Sequence, residues 1–235
     1  MASAGRAPST NGWLRLDQVS YSYPVKEKSD TLDRIDLDIR AGEYLLISGA
    51  SGSGKSTLAR TFNGLIPHFY GGRLRGRVTV DGRATSEQSV ADLFDRVGLV
   101  FQNPRAQLFN RTVTRELAFG LESLGLPPVT MKARIGAVAE ELGMAHLLAR
   151  DPQSLSGGEQ QLAALAAVLA LRPKTVVLDE PLANLDAMYA ARLRTLLLHL
   201  KADGTGVVVC EHRMRPTLPD ADRVILIHKG RKHAD

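Results

Sequence analysis

The chain has 235 residues, 44% of them hydrophobic and 23% charged, which supports a packed core and excludes a disordered or low-complexity protein. Its 30 Lys and Arg outnumber 25 Asp and Glu for a formal net charge of +5; the densest basic stretches, RLRGR (73–77) and HKGRKH (228–233), lack interleaved aromatics and read as solvated surface, so no nucleic-acid partner is expected. The single cysteine, Cys210, excludes an intrachain disulfide and suggests a reducing compartment, and the longest unbroken apolar run (162–171) falls well short of the ~20 residues that span a bilayer.

In chain order, residues 1–12 are small and polar and read as a disordered lead without the apolar core of a secretory signal. Alternating segments at 13–21 and 31–39 predict strands with one wet face, joined by a hairpin connection VKEKSD. A continuous apolar strand, 43–48, runs into GASGSGKST and a helical pattern at 55–65. Strands are expected at 78–82 and 96–102, then helical spacing at 112–124 and 131–150 around the breaker GLPPVT. A helix follows LSGGEQQ; then come a buried strand (174–180), a long helix (186–203) and strands at 206–212 and 223–228. The alternation predicts an α/β protein: a P-loop NTPase core with a mostly parallel sheet, an N-terminal antiparallel β layer and an inserted α-helical subdomain at about 103–158. Residues 13–235 form one domain in this reading.

Residues 49–56 fit G-x-x-x-x-G-K-[ST] between a strand and a helix. Gly49, Gly52 and Gly54 free the backbone so that amides of Ala50, Ser51, Ser53 and Thr57 can turn toward a phosphate, aided by the helix dipole. Lys55 supplies a cation for the β- and γ-phosphates and Ser56 a hydroxyl ligand for Mg²⁺. The chain is therefore expected to bind a nucleoside triphosphate.

Asp179 ends a hydrophobic strand, where a carboxylate can hold Mg²⁺ through water and complete the site begun by Ser56. Glu180, one residue on, is placed to orient or deprotonate an attacking water. In LSGG, Ser156, Gly157 and Gly158 offer a hydroxyl, bare backbone and a helix start. With Glu159 three residues on, Ser156 also fits a capping box, so helix cap and second anion-binding mouth both stand. One phosphate loop and two phosphate-binding ends are reconciled by a head-to-tail pair, each chain closing the other's nucleotide.

Taken together these motifs resemble the nucleotide-binding subunit of an ABC transporter, over residues 13–230. The resemblance implies ATP and Mg²⁺ as ligands, a second ATPase subunit or domain and transmembrane subunits as partners, and a cytoplasmic position on the inner face of the membrane. It also implies roles: Tyr23 stacks on adenine, Gln102 senses or ligates Mg²⁺ and water, Asp186 speaks across the dimer, and His212 touches the γ-phosphate. NGLIPHFYGG (63–72) and FQNPRAQLF (101–109) are most similar to the ATPases of energy-coupling-factor importers of vitamins or transition-metal ions. Three departures stand out: Leu162 where an arginine often follows the signature, Glu211 where a threonine usually precedes the histidine, and an end at Asp235 where such relatives continue into a dimerising extension. Weak or conditional dimerisation is the expectation. The alternative, a soluble ABC ATPase of DNA maintenance or translation, is disfavoured because only 100 residues, without sustained heptads, separate Lys55 from Ser156.

Overall fold

The computed structural model describes residues 13–24, 30–183, 185–215 and 217–235. The lead at 1–12 and positions 25–29 of the VKEKSD connection lie outside them.

Two sheets carry the fold. The first is antiparallel, in the order β2-β1-β4-β5, built from β1 (Leu14–Ser22), β2 (Leu32–Ile39), β4 (Arg73–Val80) and β5 (Arg83–Ala84). The second, in the order β10-β9-β3-β8-β7-β6, contains β3 (Tyr44–Ser48), β6 (Val97–Val100), β7 (Thr175–Asp179), β8 (Gly206–Glu211), β9 (Arg223–His228) and β10 (Arg231–Ala234). All its pairings are parallel except that of β9 with β10.

The apolar strands are buried on both faces, and their pleat assigns alternate residues to two cores. Leu45, Ile47, Val177, Val208 and Cys210 face the antiparallel sheet together with Leu58 and Phe62 of α1 (Lys55–Phe62). Tyr44, Leu46, Val176, Leu178, Val207 and Val209 face the helical side. Packed there are α4 (Val113–Ser123), α5 (Pro128–Glu141), α6 (Gly157–Ala170) and α7 (Ala187–Ala202). Because α6 is surrounded, it is apolar nearly all round, and Leu162 is 1% exposed where a long cation would have to be buried.

Several boundaries differ from expectation. The first helix stops at Phe62, since Gly64 takes φ +76°, and Leu65–His68 forms a separate short turn, α2. Helical spacing read through 131–150 ends at Glu141, where Gly143 at φ +64° reverses the chain; a 3₁₀ turn at Ala145–Leu147 follows. RLRGR is the first half of β4, paired with β1 while most of its side chains stay in solvent. A short helix, α3 (Val90–Leu93), and the strand β10 were not anticipated.

Candidate functional site

The loop 49–54, Asp179 and Glu180, and His212 converge because β3, β7 and β8 are adjacent and parallel, so their C-terminal ends open on one edge. The loop 49–54 leaves β3 and enters α1 directly. At Gly49 a Cβ would lie 2.2 Å from the Ile227 carbonyl oxygen, and Gly54, at φ +112°, caps α1 with no side-chain bond. No larger residue fits the first position, and an L side chain is strained at the second. Ala50, Ser51 and Gly52 form the exposed tip, Ser53 N–H donates to the Ala50 carbonyl at 3.1 Å, and Thr57 is buried. Lys55 is 4% exposed, and its Nζ donates back to the carbonyls of Gly49 (2.7 Å) and Ala50 (3.1 Å). Among the described residues the direct partners of this buried ammonium are two carbonyl dipoles and no carboxylate pairs with it at contact distance, so the loop suits an anion.

Asp179 closes β7 at 5% exposure, and its Oδ1 has no partner among the described residues. Burial raises the Asp179 pKa; the Ser56 hydroxyl, then Arg60 and Lys55, pull it back, while Glu180 pushes it up. An orphaned, desolvated carboxylate oxygen beside a hydroxyl suits a hard divalent cation, which would satisfy the lone pairs that burial leaves empty. The residues therefore fit Mg²⁺.

Glu180 follows in the left-handed region, at φ +49°, with its N–H on the Cys210 carbonyl at 2.9 Å. That conformation is costly for a non-glycine residue and re-aims the side chain off the strand. The carboxylate is gripped from two sides: Gln102 Nε2 donates to Oε2 at 2.9 Å and His212 Nδ1 lies 3.5 Å from Oε1. Thus Gln102, Glu180 and His212, from three separate segments, meet as one cluster.

Glu211, beside them, is 3% exposed, with Oε1 accepting the Leu182 N–H at 3.3 Å. Burial raises its pKa, against the opposing pull of that amide and of His212. A carboxyl whose folded pKa is raised loses stability as pH rises through that value and regains it as pH falls toward the unfolded pKa. Glu211→Gln is therefore expected to melt above the parent at pH 8, with the gap closing as the solution is acidified; thermal melts across pH check this.

Ser156 caps α6 in a complete capping box: its Oγ accepts the Glu159 N–H at 3.4 Å and its own N–H donates to Glu159 Oε2 at 2.8 Å. Hydrogen bonds from the Ser156 amide and hydroxyl depress the Glu159 pKa, with Arg150 Nη1 3.6 Å away. Ser156 and Gly157 are exposed and Gly158 half-buried. No hydrogen bond or ion pair among the described residues joins this mouth to the loop at 49–56.

Asp186 is the N-cap of α7, accepting the Tyr189 N–H at 2.8 Å. Asp186→Ala should lower unfolding stability by about 1 kcal/mol in a urea titration without nucleotide. Neighbouring Asn184 lies outside the described residues.

Tyr23 is half-buried, its ring edge-on to Tyr21 (4.9 Å between centroids) and Tyr70 (6.3 Å). Its hydroxyl contacts Thr57 Oγ1 at 3.2 Å and accepts from Arg60 Nη1 at 3.0 Å. Sequence reasoning missed Arg60, which had no signal beyond its place in α1. It also missed Gln107, whose amide takes the Phe101 N–H (3.1 Å) and donates to the Leu99 carbonyl (3.2 Å), pinning the Gln102 loop to β6.

Residues 32–183 match the sequence profile of the ABC transporter family. The chain is 43% identical over 219 residues to an ABC transporter ATP-binding protein of Pyrococcus horikoshii, covering 93% of this chain and 77% of that protein. A namesake from Treponema denticola is 41% identical over 218 residues, 93% of this chain but 44% of its own length, and one from Methanosarcina acetivorans is 39% identical over 36% of its length. The chain thus spans less than half of these two relatives. Among solved structures it is similar to cbiO1 of Clostridium perfringens, part of the ABC transporter complex cbiONQ (TM-score 0.81, 29% identity, 95% of this chain and 88% of that one). It is also similar to a dimeric bacterial ABC transporter cassette (TM-score 0.84, 26% identity, 94% of this chain and 97% of that one). Profile, relatives and shared fold agree with the clustered site, and the chain belongs to the ABC transporter family of ATP-binding proteins.

Proposed function

We propose that this chain is the ATP-binding and ATP-hydrolysing subunit of a membrane transporter, with 13–235 as one ATPase domain and about 103–158 as its helical subdomain. The observation that carries the reading is the Glu180 carboxylate held between Gln102 and His212, beside buried Asp179. ATP would lie with its phosphates on the loop 49–56, its base on Tyr23, and Ser156, Gly157 and Gly158 of a second copy closing over the γ-phosphate. Ser56, Asp179 and Gln102 would hold Mg²⁺, which when bound neutralises charge building on the β- and γ-phosphates. Lys55 leaves its carbonyl partners for those phosphates. Glu180 orients a water and takes its proton, with Gln102 and His212 fixing the carboxylate's position. Product charge repulsion then opens the pair.

Transmembrane partners would seat beside the Gln102 loop, where Phe109 (65% exposed) and Phe119 (50%) meet edge-to-face at 4.9 Å. Glu116 Oε2 accepts the N–H groups of Phe109 (3.0 Å) and Asn110 (2.7 Å) and holds that segment in place. No described helix is long and apolar enough to cross a membrane, which accords with a peripheral subunit on the inner face. The similarity to cbiO1 supports the finer reading, an energy-coupling-factor importer of a vitamin or metal ion. Glu180→Gln chain given ATP and Mg²⁺ should shift from monomer to dimer in light scattering; a chain that stays monomeric at saturating ATP overturns the paired chamber.

A further inference from the structure

Arg105 sits in the one-turn 3₁₀ helix Pro104–Ala106, three residues after Gln102, where the Asn103 side chain caps its N–H at 3.1 Å. Its Nε donates to Gln160 Oε1 at 3.1 Å. Gln160 belongs to the first turn of α6, is 1% exposed, and uses its other amide atom, Nε2, on the Pro152 carbonyl at 3.0 Å. Its backbone N–H donates to the Ser156 carbonyl at 2.9 Å. Both amide atoms are thus committed, one to the Gln102 loop and one to the turn preceding the signature. Three residues of backbone join Gln102, which grips Glu180, to Arg105, and hydrogen bonds then run from Arg105 through Gln160 to Ser156, which forms the second anion mouth.

This path has a consequence if the chains pair head to tail, as proposed above. Gln102 then serves the chamber built on this chain's phosphate loop, while Ser156 serves the chamber built on the partner's. We propose that Arg105 is a positioning residue that, through Gln160, couples the Gln102 loop to the signature mouth of the same chain and so links the two chambers. Closure at one site sets the height of the loop at 101–107, and the Arg105–Gln160 bond transfers that displacement to the start of α6. The two-site coupling lives in a short chain of bonds with defined ends. A hydrogen bond from a guanidinium to a buried amide oxygen is stronger than a neutral pair and gives the link its stiffness.

The test uses Arg105→Met, which keeps the aliphatic stem and removes the donor, and Arg105→Lys, which keeps a donor. In the Glu180→Gln background, Arg105→Met should raise the ATP concentration needed for dimer formation about tenfold. In the otherwise unaltered chain its turnover should change from sigmoidal to hyperbolic in ATP. Affinity of the monomer for a fluorescent ATP analogue should stay at the parent value, the thermal midpoint should fall modestly because buried Gln160 Oε1 loses its donor, and Arg105→Lys should recover part of both losses. Unchanged dimer formation and cooperativity in Arg105→Met overturn the coupling alone. So does an equal loss of monomer affinity for the analogue, the mark of a merely structural residue. A Glu180→Gln chain with Arg105 intact that fails to pair overturns the head-to-tail reading and the coupling with it.

Discussion

Lys55→Met is expected to weaken ATP binding by about 3 kcal/mol, about a hundredfold, while leaving the nucleotide-free fold as stable as the parent or slightly more so. The asymmetry follows from the site. Without nucleotide, Lys55 is 4% exposed with two loop carbonyls as its partners, and methionine fills the same stem volume without a buried charge. With nucleotide, the same ammonium faces the most concentrated negative charge in the complex, and its loss leaves phosphate oxygens short of a charged donor. Calorimetric titration with ATP and a thermal melt without it separate the two effects. A variant that binds ATP like the parent would remove Lys55 from the phosphate site.

Glu180→Gln should lower the saturated turnover rate by 10²–10⁴-fold, roughly the range for a positioned general base, with ATP affinity nearly intact. The amide is isosteric and can still face Gln102 and His212, so the local packing of the carboxylate survives. Its loss is one of basicity alone, because an amide cannot accept the proton of the attacking water. Steady-state phosphate release against ATP concentration gives both parameters; an unchanged maximal rate would take Glu180 out of its role. The left-handed backbone at Glu180 makes a further distinction. Glu180→Gly, which relieves that strain, should be at least as stable as the parent yet as inactive as the glutamine variant.

Much of this site was legible in the chain because its motifs are local. A glycine loop between a strand and a helix needs only neighbouring residues to curl around a phosphate, so 49–56 could be read directly. Asp179 could be assigned because an apolar strand of five residues, buried throughout, must end at a sheet edge where polar groups can re-emerge. Element types held wherever apolar periodicity was strong. The boundaries that moved, at Phe62 and Glu141, moved at glycines whose positive φ no periodicity reports.

The capping box at Ser156 was visible as a spacing, yet the spacing could not separate a cap from a phosphate mouth. Its geometry makes it a complete cap, and the exposure of Ser156 and Gly157 leaves the same end open to a second chain. Asp186 follows the same pattern, a cap first and an exposed carboxylate second.

The sequence by itself determined which groups are available: a glycine loop between a strand and a helix, two consecutive carboxylates at a strand end and a second helix mouth, each encoded within a few consecutive residues. Only tertiary structure decided that Gln102, Glu180 and His212 share one carboxylate, that Arg105 reaches Gln160, and that Tyr23 is tied to Thr57 and Arg60. Those contacts join segments far apart in the chain. Their distances are set by which strands lie side by side and by the volume of the cores beneath them, quantities that no short window of residues contains.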